Sequence, residues 1–245
     1  MAQSIVVYKH QNYALSYEVI GLEKEEKILI LHGWGANKEL MTNAFSHHLK
    51  DFCQIYVDLP GFGRSSVEEV LESEDYALIV GEFLKMKGWE IAYFMGHSFG
   101  GKICTLLAKN TPNTSLILLS SAGIIAPKSF KVRFKIALFK FLKKLGFGSF
   151  YRFFASKDGA NLSPLMYETF KKVVDEDFSA IFKSLENQSL IFWGKDDQAT
   201  PLKSGELINT LIKKSTFYPL KGDHFFFLQN AKFIADTIKK AKNAS

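Results

Sequence analysis

The feature that most constrains the fold is a series of short, continuous apolar runs separated by segments with helical periodicity. The runs KILIL, CQIYVDL, IAYFM, SLILLS and SLIFWG each have the length of one strand. Continuous runs of this kind are typical of strands buried on both faces of a parallel sheet. Predicted helices at residues 40–49, 76–86, 102–109, 204–212 and 231–241 alternate with them. The alternation predicts an α/β protein with a mostly parallel, doubly wound sheet.

The middle of the chain interrupts this alternation. SIVVY and YALSYEVI predict an opening hairpin, and STFYPL predicts a last strand. Between residues 124 and 186 there is no clear buried strand, and the segment is helical and rich in aromatic residues. The sequence therefore predicts one α/β core, formed by residues 1–123 and 187–245, with a helical insertion at 124–186.

Composition excludes several classes of protein. The 245 residues are 47% hydrophobic, which is enough for a sizeable core, and a net charge of +6 is too mild to indicate nucleic-acid binding. No window of about 18 apolar residues predicts a transmembrane helix, and no basic and apolar leader is visible at the start. The two cysteines, Cys53 and Cys104, have no metal-ligand spacing. We expect a cytoplasmic protein without a metal or organic cofactor.

A polar pair lies at a glycine-flanked corner between a predicted strand and a predicted helix. The sequence GHSFG places Ser98 at the centre of a G-x-S-x-G pattern. In this context the sharp turn strains the serine backbone and exposes its hydroxyl at the carboxyl edge of the sheet. The alternative is a serine that only caps the helix. The position at the corner favours a nucleophile.

A nucleophilic serine needs a base and a carboxylate that orients the base. His224 follows the last predicted strand, where a loop at the carboxyl edge would bring it to Ser98. The sequence WGKDDQATP follows the strand before it and offers both Asp196 and Asp197, either of which could be an ordinary turn residue. The order serine, acid, histidine is the one expected for this class of site.

Five motifs together resemble the α/β-hydrolase fold family over nearly the whole chain. They are LHGWGAN, DLPGFGRSS, GHSFGG, WGKDDQATP and GDHFFFLQN. The family's spacing of glycine, aspartate and proline aligns with Gly194, Asp197 and Pro201, so the resemblance selects Asp197 over Asp196. It also places the catalytic histidine at His224, although Asp223 stands where glycine is more usual.

The resemblance implies an oxyanion hole and a reaction. The family's oxyanion loop corresponds to residues 32–35, so the backbone N–H groups of Trp34 and Phe99 would face the developing oxyanion. His32 would brace this loop. The implied enzyme is a serine hydrolase, a carboxylesterase with a Ser98, His224 and Asp197 triad and a partly apolar acyl pocket.

In this family an insertion at 124–186 forms a cap over the site, and here it is basic. Residues 91–157 contain no Asp or Glu. One predicted helix has an apolar face, and lysines flank it. The face comprises Phe134, Ala137, Leu138, Phe141, Leu142 and Leu145. The charge could be a solvated surface, a dock for an acidic carrier protein, as in the relatives that cleave pimeloyl-acyl-carrier-protein methyl ester, or a contact with an anionic membrane surface.

Other activities of the same fold stay open to different degrees. Dehalogenases and epoxide hydrolases need a carboxylate nucleophile at the position of Ser98, so the serine argues against both classes. Carbon-carbon bond hydrolases of the 2-hydroxy-6-oxo-dienoate type share the triad and cap, but they usually have a tryptophan beside the histidine, where this chain has Phe225. A non-catalytic receptor that keeps the pocket is a third class.

Overall fold

The computed structural model describes residues 2–125 and 163–242, and these residues form one eight-stranded sheet with helices on both faces. The strands are β1 (Ala2–Tyr8), β2 (Gln11–Ile20), β3 (Lys27–Leu31), β4 (Cys53–Val57), β5 (Tyr93–His97), β6 (Ser115–Leu119), β7 (Ser189–Gly194) and β8 (Ser215–Leu220). All eight match strands predicted from the sequence.

The sheet order is β1-β2-β4-β3-β5-β6-β7-β8. β1 pairs with β2, and β2 with β4, in antiparallel fashion, whereas every other pair is parallel. The prediction of a mostly parallel, doubly wound sheet is confirmed. Parallel pairing brings the carboxyl ends of β3, β5, β6, β7 and β8 to one edge, where ligands bind in open α/β sheets.

The helices of the described part divide between the two faces of the sheet. They are α1 (Lys38–Phe45), α2 (Ser73–Met86), α3 (Phe99–Lys109), α4 (Pro164–Val173), α5 (Ser179–Ser184), α6 (Leu202–Leu211) and α7 (Phe227–Lys242). One core cluster packs α1 and α7 against the sheet, and the other packs α2, α3, α5 and α6 against the opposite face. None of the helices in the described part is long and apolar enough to cross a bilayer.

Gly123, directly before the predicted insertion, lies beside Phe178, which is within it. The backbone N–H of Phe178 donates to the carbonyl of Gly123 at 2.8 Å. Between this bond and β7, the described residues are helix α5 and its connections. The predicted apolar face from Phe134 to Leu145 and its basic neighbours lie outside the described residues, as does most of the 124–186 division.

The turn between β5 and α3 depends on a close approach of backbones. A Cβ atom on Gly100 would lie 2.5 Å from the carbonyl oxygen of His32 and 2.6 Å from that of Leu31. A Cβ on Gly96 would collide with the backbone of Gly100. Glycine at these two positions allows α3 to begin directly against β3 and β5.

We predict that Gly100→Ala lowers the free energy of unfolding by about 1 to 3 kcal/mol, because the new methyl group meets backbone atoms that cannot rotate away. Gly81→Ala is the matched control, since its Cβ would meet only Leu107 Cδ2 at an ordinary 3.7 Å within α2. The control should gain about 0.5 to 1 kcal/mol from helix propensity. Urea denaturation of both variants measures this, and an unchanged Gly100→Ala protein would contradict the packing argument.

Candidate active site

Ser98 occupies a strained corner between β5 and α3. Its backbone has φ 50° and ψ −112°, in the positive-φ region that L-residues rarely adopt. The corner is fixed by the Ser98 N–H, which donates to the Leu119 carbonyl, and by the Ser98 carbonyl, which accepts from the Gly101 and Ala122 N–H groups, each at 3.0 Å. This strained turn holds the serine at the carboxyl edge of the sheet, the position predicted from the GHSFG pattern.

Asp197, in the loop after β7, has a complete set of hydrogen bonds. Its Oδ1 accepts from the N–H groups of Ala199 and Thr200 at 2.8 and 2.9 Å. Its Oδ2 accepts from the Thr200 hydroxyl and from His224 Nδ1, both at 2.8 Å. Burial raises the pKa of this carboxyl, but the bond and charge of His224, with the bonds from Thr200, outweigh burial and lower it. Asp197 therefore stays ionised and holds the imidazole by its Nδ1 proton.

Asp196, the alternative that the residues alone left open, is exposed. Its backbone N–H donates to the Gly222 carbonyl at 3.0 Å, and its carbonyl accepts from the Gln198 side chain. Asp197 is only 4% exposed, so the two neighbours differ in burial as well as in contact with His224.

Thr200 contributes to the site in a way that the sequence did not predict. Its hydroxyl lies 2.8 Å from Asp197 Oδ2, 3.1 Å from the Ser120 carbonyl and 3.4 Å from His224 Nδ1. Its carbonyl accepts from Trp193 Nε1 at 2.8 Å, which fixes the loop to β7. A threonine before a proline carries no distinctive pattern, so only the folded geometry reveals this role.

Ser98 and His224 line one cavity of about 400 Å³ at the carboxyl edge of the sheet. Trp34, Phe99 and Thr200 contribute to the same wall. No hydrogen bond joins the Ser98 hydroxyl to His224 in the described part of the chain. Serine and base hydrogen bonds are often loose before substrate binds, so the shared cavity is the relevant observation.

The loop after β3 presents Trp34 to this cavity. The Trp34 ring packs against Phe62, Phe99 and Phe170 with centroids 4.8 to 5.3 Å apart. Trp34 and Phe99 thus lie together on the wall of the cavity that Ser98 also lines.

His32 braces the same loop and is buried. Its Nδ1–H donates to the Gly33 carbonyl at 2.8 Å, and its Nε2 accepts from the Leu59 N–H at 3.0 Å. This fixes the neutral tautomer, and burial lowers the ring pKa. The adjacent turn is held by a buried ion pair, in which Lys38 Nζ lies 2.8 Å from Asp58 Oδ2.

His97 packs against His224 and holds its backbone. It is 1% exposed, and its Nε2–H donates to the His224 carbonyl at 3.0 Å, with the two ring centroids 4.6 Å apart. Burial and the neighbouring His224 lower the pKa of His97 to about 3. The ring is therefore neutral, with its one N–H already donated to backbone.

The described residues contain no group of three or more His, Cys, Asp or Glu side chains placed to hold a metal ion. The polar groups at the corner include Ser98, His224 and Asp197, described above.

The chain is similar in sequence to known hydrolases. The sequence pattern of the alpha/beta hydrolase fold matches residues 27–146. The chain has the α/β-hydrolase fold. A pimeloyl-acyl-carrier-protein methyl ester esterase of Vibrio parahaemolyticus is 36% identical over 96 residues, which are 39% of this chain and 36% of that protein. The match thus spans well under half of the relative's length.

Solved structures of α/β hydrolases superpose over almost all of the chain. An esterase from Exiguobacterium antarcticum has a TM-score of 0.75 at 20% identity and covers 98% of this chain and 99% of that one. A thermophilic esterase from Thermogutta terrifontis has a TM-score of 0.72 at 16% identity, covering 100% and 99%. At 16 to 20% identity, this structural likeness demonstrates the shared fold alone.

We predict that stability falls as pH drops from about 6.5 toward 3, because His97 binds a proton in the unfolded chain but resists one when folded. The stability is complete above the unfolded pKa of about 6.5, and the full loss is on the order of 3 to 5 kcal/mol. His97→Gln keeps an amide donor near the position of Nε2 but does not titrate. Urea unfolding at pH 7, 6, 5 and 4 should show a shallower slope for the variant, and parallel slopes would rule out this source.

Proposed function

We propose that the protein is a carboxylic ester hydrolase in which Ser98 is the nucleophile, His224 the general base and Asp197 the residue that orients the base. The observation that carries the proposal is the 2.8 Å bond between Asp197 Oδ2 and His224 Nδ1, on the wall of the cavity that Ser98 also lines. The esterase relatives and the fold support it.

In the proposed reaction, His224 Nε2 takes the hydroxyl proton as Ser98 Oγ attacks the ester carbonyl carbon. Asp197 stabilises the imidazolium that forms. The Trp34 and Phe99 N–H groups donate to the oxyanion of the tetrahedral intermediate, which then expels the alcohol after His224 protonates it. Water enters, gives its proton to His224 and attacks the acyl-enzyme, and Ser98 recovers its proton as the acid leaves.

The acyl group would lie in a cavity with a largely apolar wall. Trp34, Ile124, Phe170, Val174 and Phe225 line it. Phe170 and Val174 come from α4 and its end, which belong to the proposed cap at 124–186. We propose that this cap closes over the acyl group.

A carrier-bound pimeloyl methyl ester is the second candidate substrate, since the Vibrio parahaemolyticus relative carries that activity in its name. The basic stretch before residue 158 would then dock the acidic carrier. Lysine-to-alanine changes there should weaken turnover of the carrier-bound ester in a salt-dependent way while leaving a small free ester unaffected. A carbon-carbon bond hydrolase would instead cleave a 2-hydroxy-6-oxo-dienoate, and a receptor would bind without turnover.

We predict serine-dependent hydrolysis of p-nitrophenyl esters that is lost in Ser98→Ala and reduced about 10⁴-fold in Asp197→Asn, the magnitude generally associated with this change of a triad aspartate. Asp196→Asn is the matched control, because this neighbouring carboxylate has no contact with His224, and its rate should stay within about twofold of wild type. Steady-state rates from acetate to decanoate measure this. Equal losses for both aspartate variants would contradict the assignment of Asp197.

We also predict a positioning role for Thr200. Thr200→Val removes the hydroxyl bond to Asp197 at nearly constant shape and should lower kcat about tenfold with KM little changed. Thr200→Ser keeps the hydroxyl and should restore most of the rate. Steady-state kinetics of the two variants, with their melting temperatures, test this, and equal rates for valine and serine would show that the hydroxyl has no effect.

A further inference from the structure

A buried ion pair forms part of the wall of the Ser98 cavity. Lys102 lies one helical turn after Ser98 in α3 and is 2% exposed, whereas the Glu176 side chain, after α4, is 26% exposed. Among the described residues that line the cavity, these two are the only Lys, Arg, Asp or Glu side chains.

The pair is held in place by several further contacts. Lys102 Nζ lies 2.5 Å from Glu176 Oε2, donates to the Val173 carbonyl at 2.7 Å and sits 4.5 Å above the centre of the Phe178 ring. Glu176 Oε1 accepts from the Ser73 N–H at 3.1 Å, and Oε2 accepts from the Ser73 hydroxyl. Neither charge can turn toward a ligand without breaking these bonds.

The geometry has a consequence for the charge of the acyl group. The two charges partly neutralise each other, but the Lys102 side chain is only 2% exposed, so its ammonium offers little attraction to a carboxylate that enters the cavity. The carboxylate of Glu176 is the more exposed partner and would repel such a group. A neutral acyl group is not repelled by Glu176 and can contact the apolar wall.

We propose that Glu176 makes the cavity selective for esters whose acyl group carries no negative charge, with Lys102 as its fixed counter-ion. This inference rests on the proposed ester hydrolysis and names the substrate class for that reaction. Glu176 then acts as a specificity-determining residue, because it changes which acyl group is accepted without taking part in bond cleavage.

The test compares two esters that differ mainly in charge, mono-p-nitrophenyl succinate and its methyl ester. The wild type should prefer the neutral diester by about tenfold or more in kcat/KM. Glu176→Gln leaves Lys102 without its counter-ion and should reduce the preference about tenfold, through faster turnover of the anion. Lys102→Met leaves Glu176 unopposed and should increase the preference.

The double variant Lys102→Met with Glu176→Gln separates charge from shape and should give an intermediate preference. Melting temperatures report whether each variant folds. The comparison of the two esters in the wild type does not depend on the folding of any variant. Equal kcat/KM values for the two esters in the wild type, or a preference unchanged in folded Glu176→Gln, would overturn the inference.

Failure of the proposed hydrolysis gives a different result, since no ester would then show turnover that depends on Ser98. In that case binding of succinamate and its methyl ester to Ser98→Ala, measured by calorimetric titration, still reports the charge preference of the cavity. Tighter binding of the neutral compound supports the selectivity, and equal or tighter binding of the anion refutes it.

Discussion

The close contact of α3 with β3 and β5 is the constraint on which the rest of the site depends. Without side chains at Gly96 and Gly100, the helix begins against backbone, and Ser98 is held at φ 50° on the corner. The energy of this strained conformation is offset by packing around it, because α3 contributes buried residues such as Ile103 and Cys104 to the core. A rigid scaffold thus supports a backbone conformation that a flexible chain would relax.

Buried charged side chains near Ser98 each have a partner side chain. Lys38 faces Asp58, Lys102 faces Glu176, and Asp197 faces His224. In the two lysine pairs, removal of one partner would leave an uncompensated charge, which generally costs about 3 to 5 kcal/mol. Such pairs are weak evidence for net stability, but they fix geometry, and the pairs of Lys102 and of His224 do so at the cavity wall.

The fold could be predicted from the sequence because the strands are nearly continuous apolar runs and the turns carry glycine and proline. Helix boundaries were less accurate. α3 begins at Phe99 rather than Lys102, since Gly100 and Gly101 weaken the helical pattern although packing requires them. α2 begins at Ser73, three residues before the predicted start, where the Asp75 side chain accepts from the Glu72 N–H.

The candidate site was predictable only where a residue type and its position after a strand coincide. Ser98 and His224 satisfy that condition, whereas Asp196 and Asp197 satisfy it equally and differ in burial and in contact with His224. Thr200 and Glu176 have no such signal. The roles proposed for them depend on distances between loops, and a local pattern contains no information about those distances.

The bond between Gly123 and Phe178 has a consequence for how this protein could diversify. It joins two residues that are 55 positions apart in the sequence. Doubling the length of a flexible loop generally changes its closure free energy by only about 0.6 kcal/mol. A change of chain length between Gly123 and Phe178 should therefore cost the core little, provided that the contacts of Phe170 and Glu176 with the core are kept. Insertions and deletions can accumulate there while the scaffold around Ser98 keeps its shape.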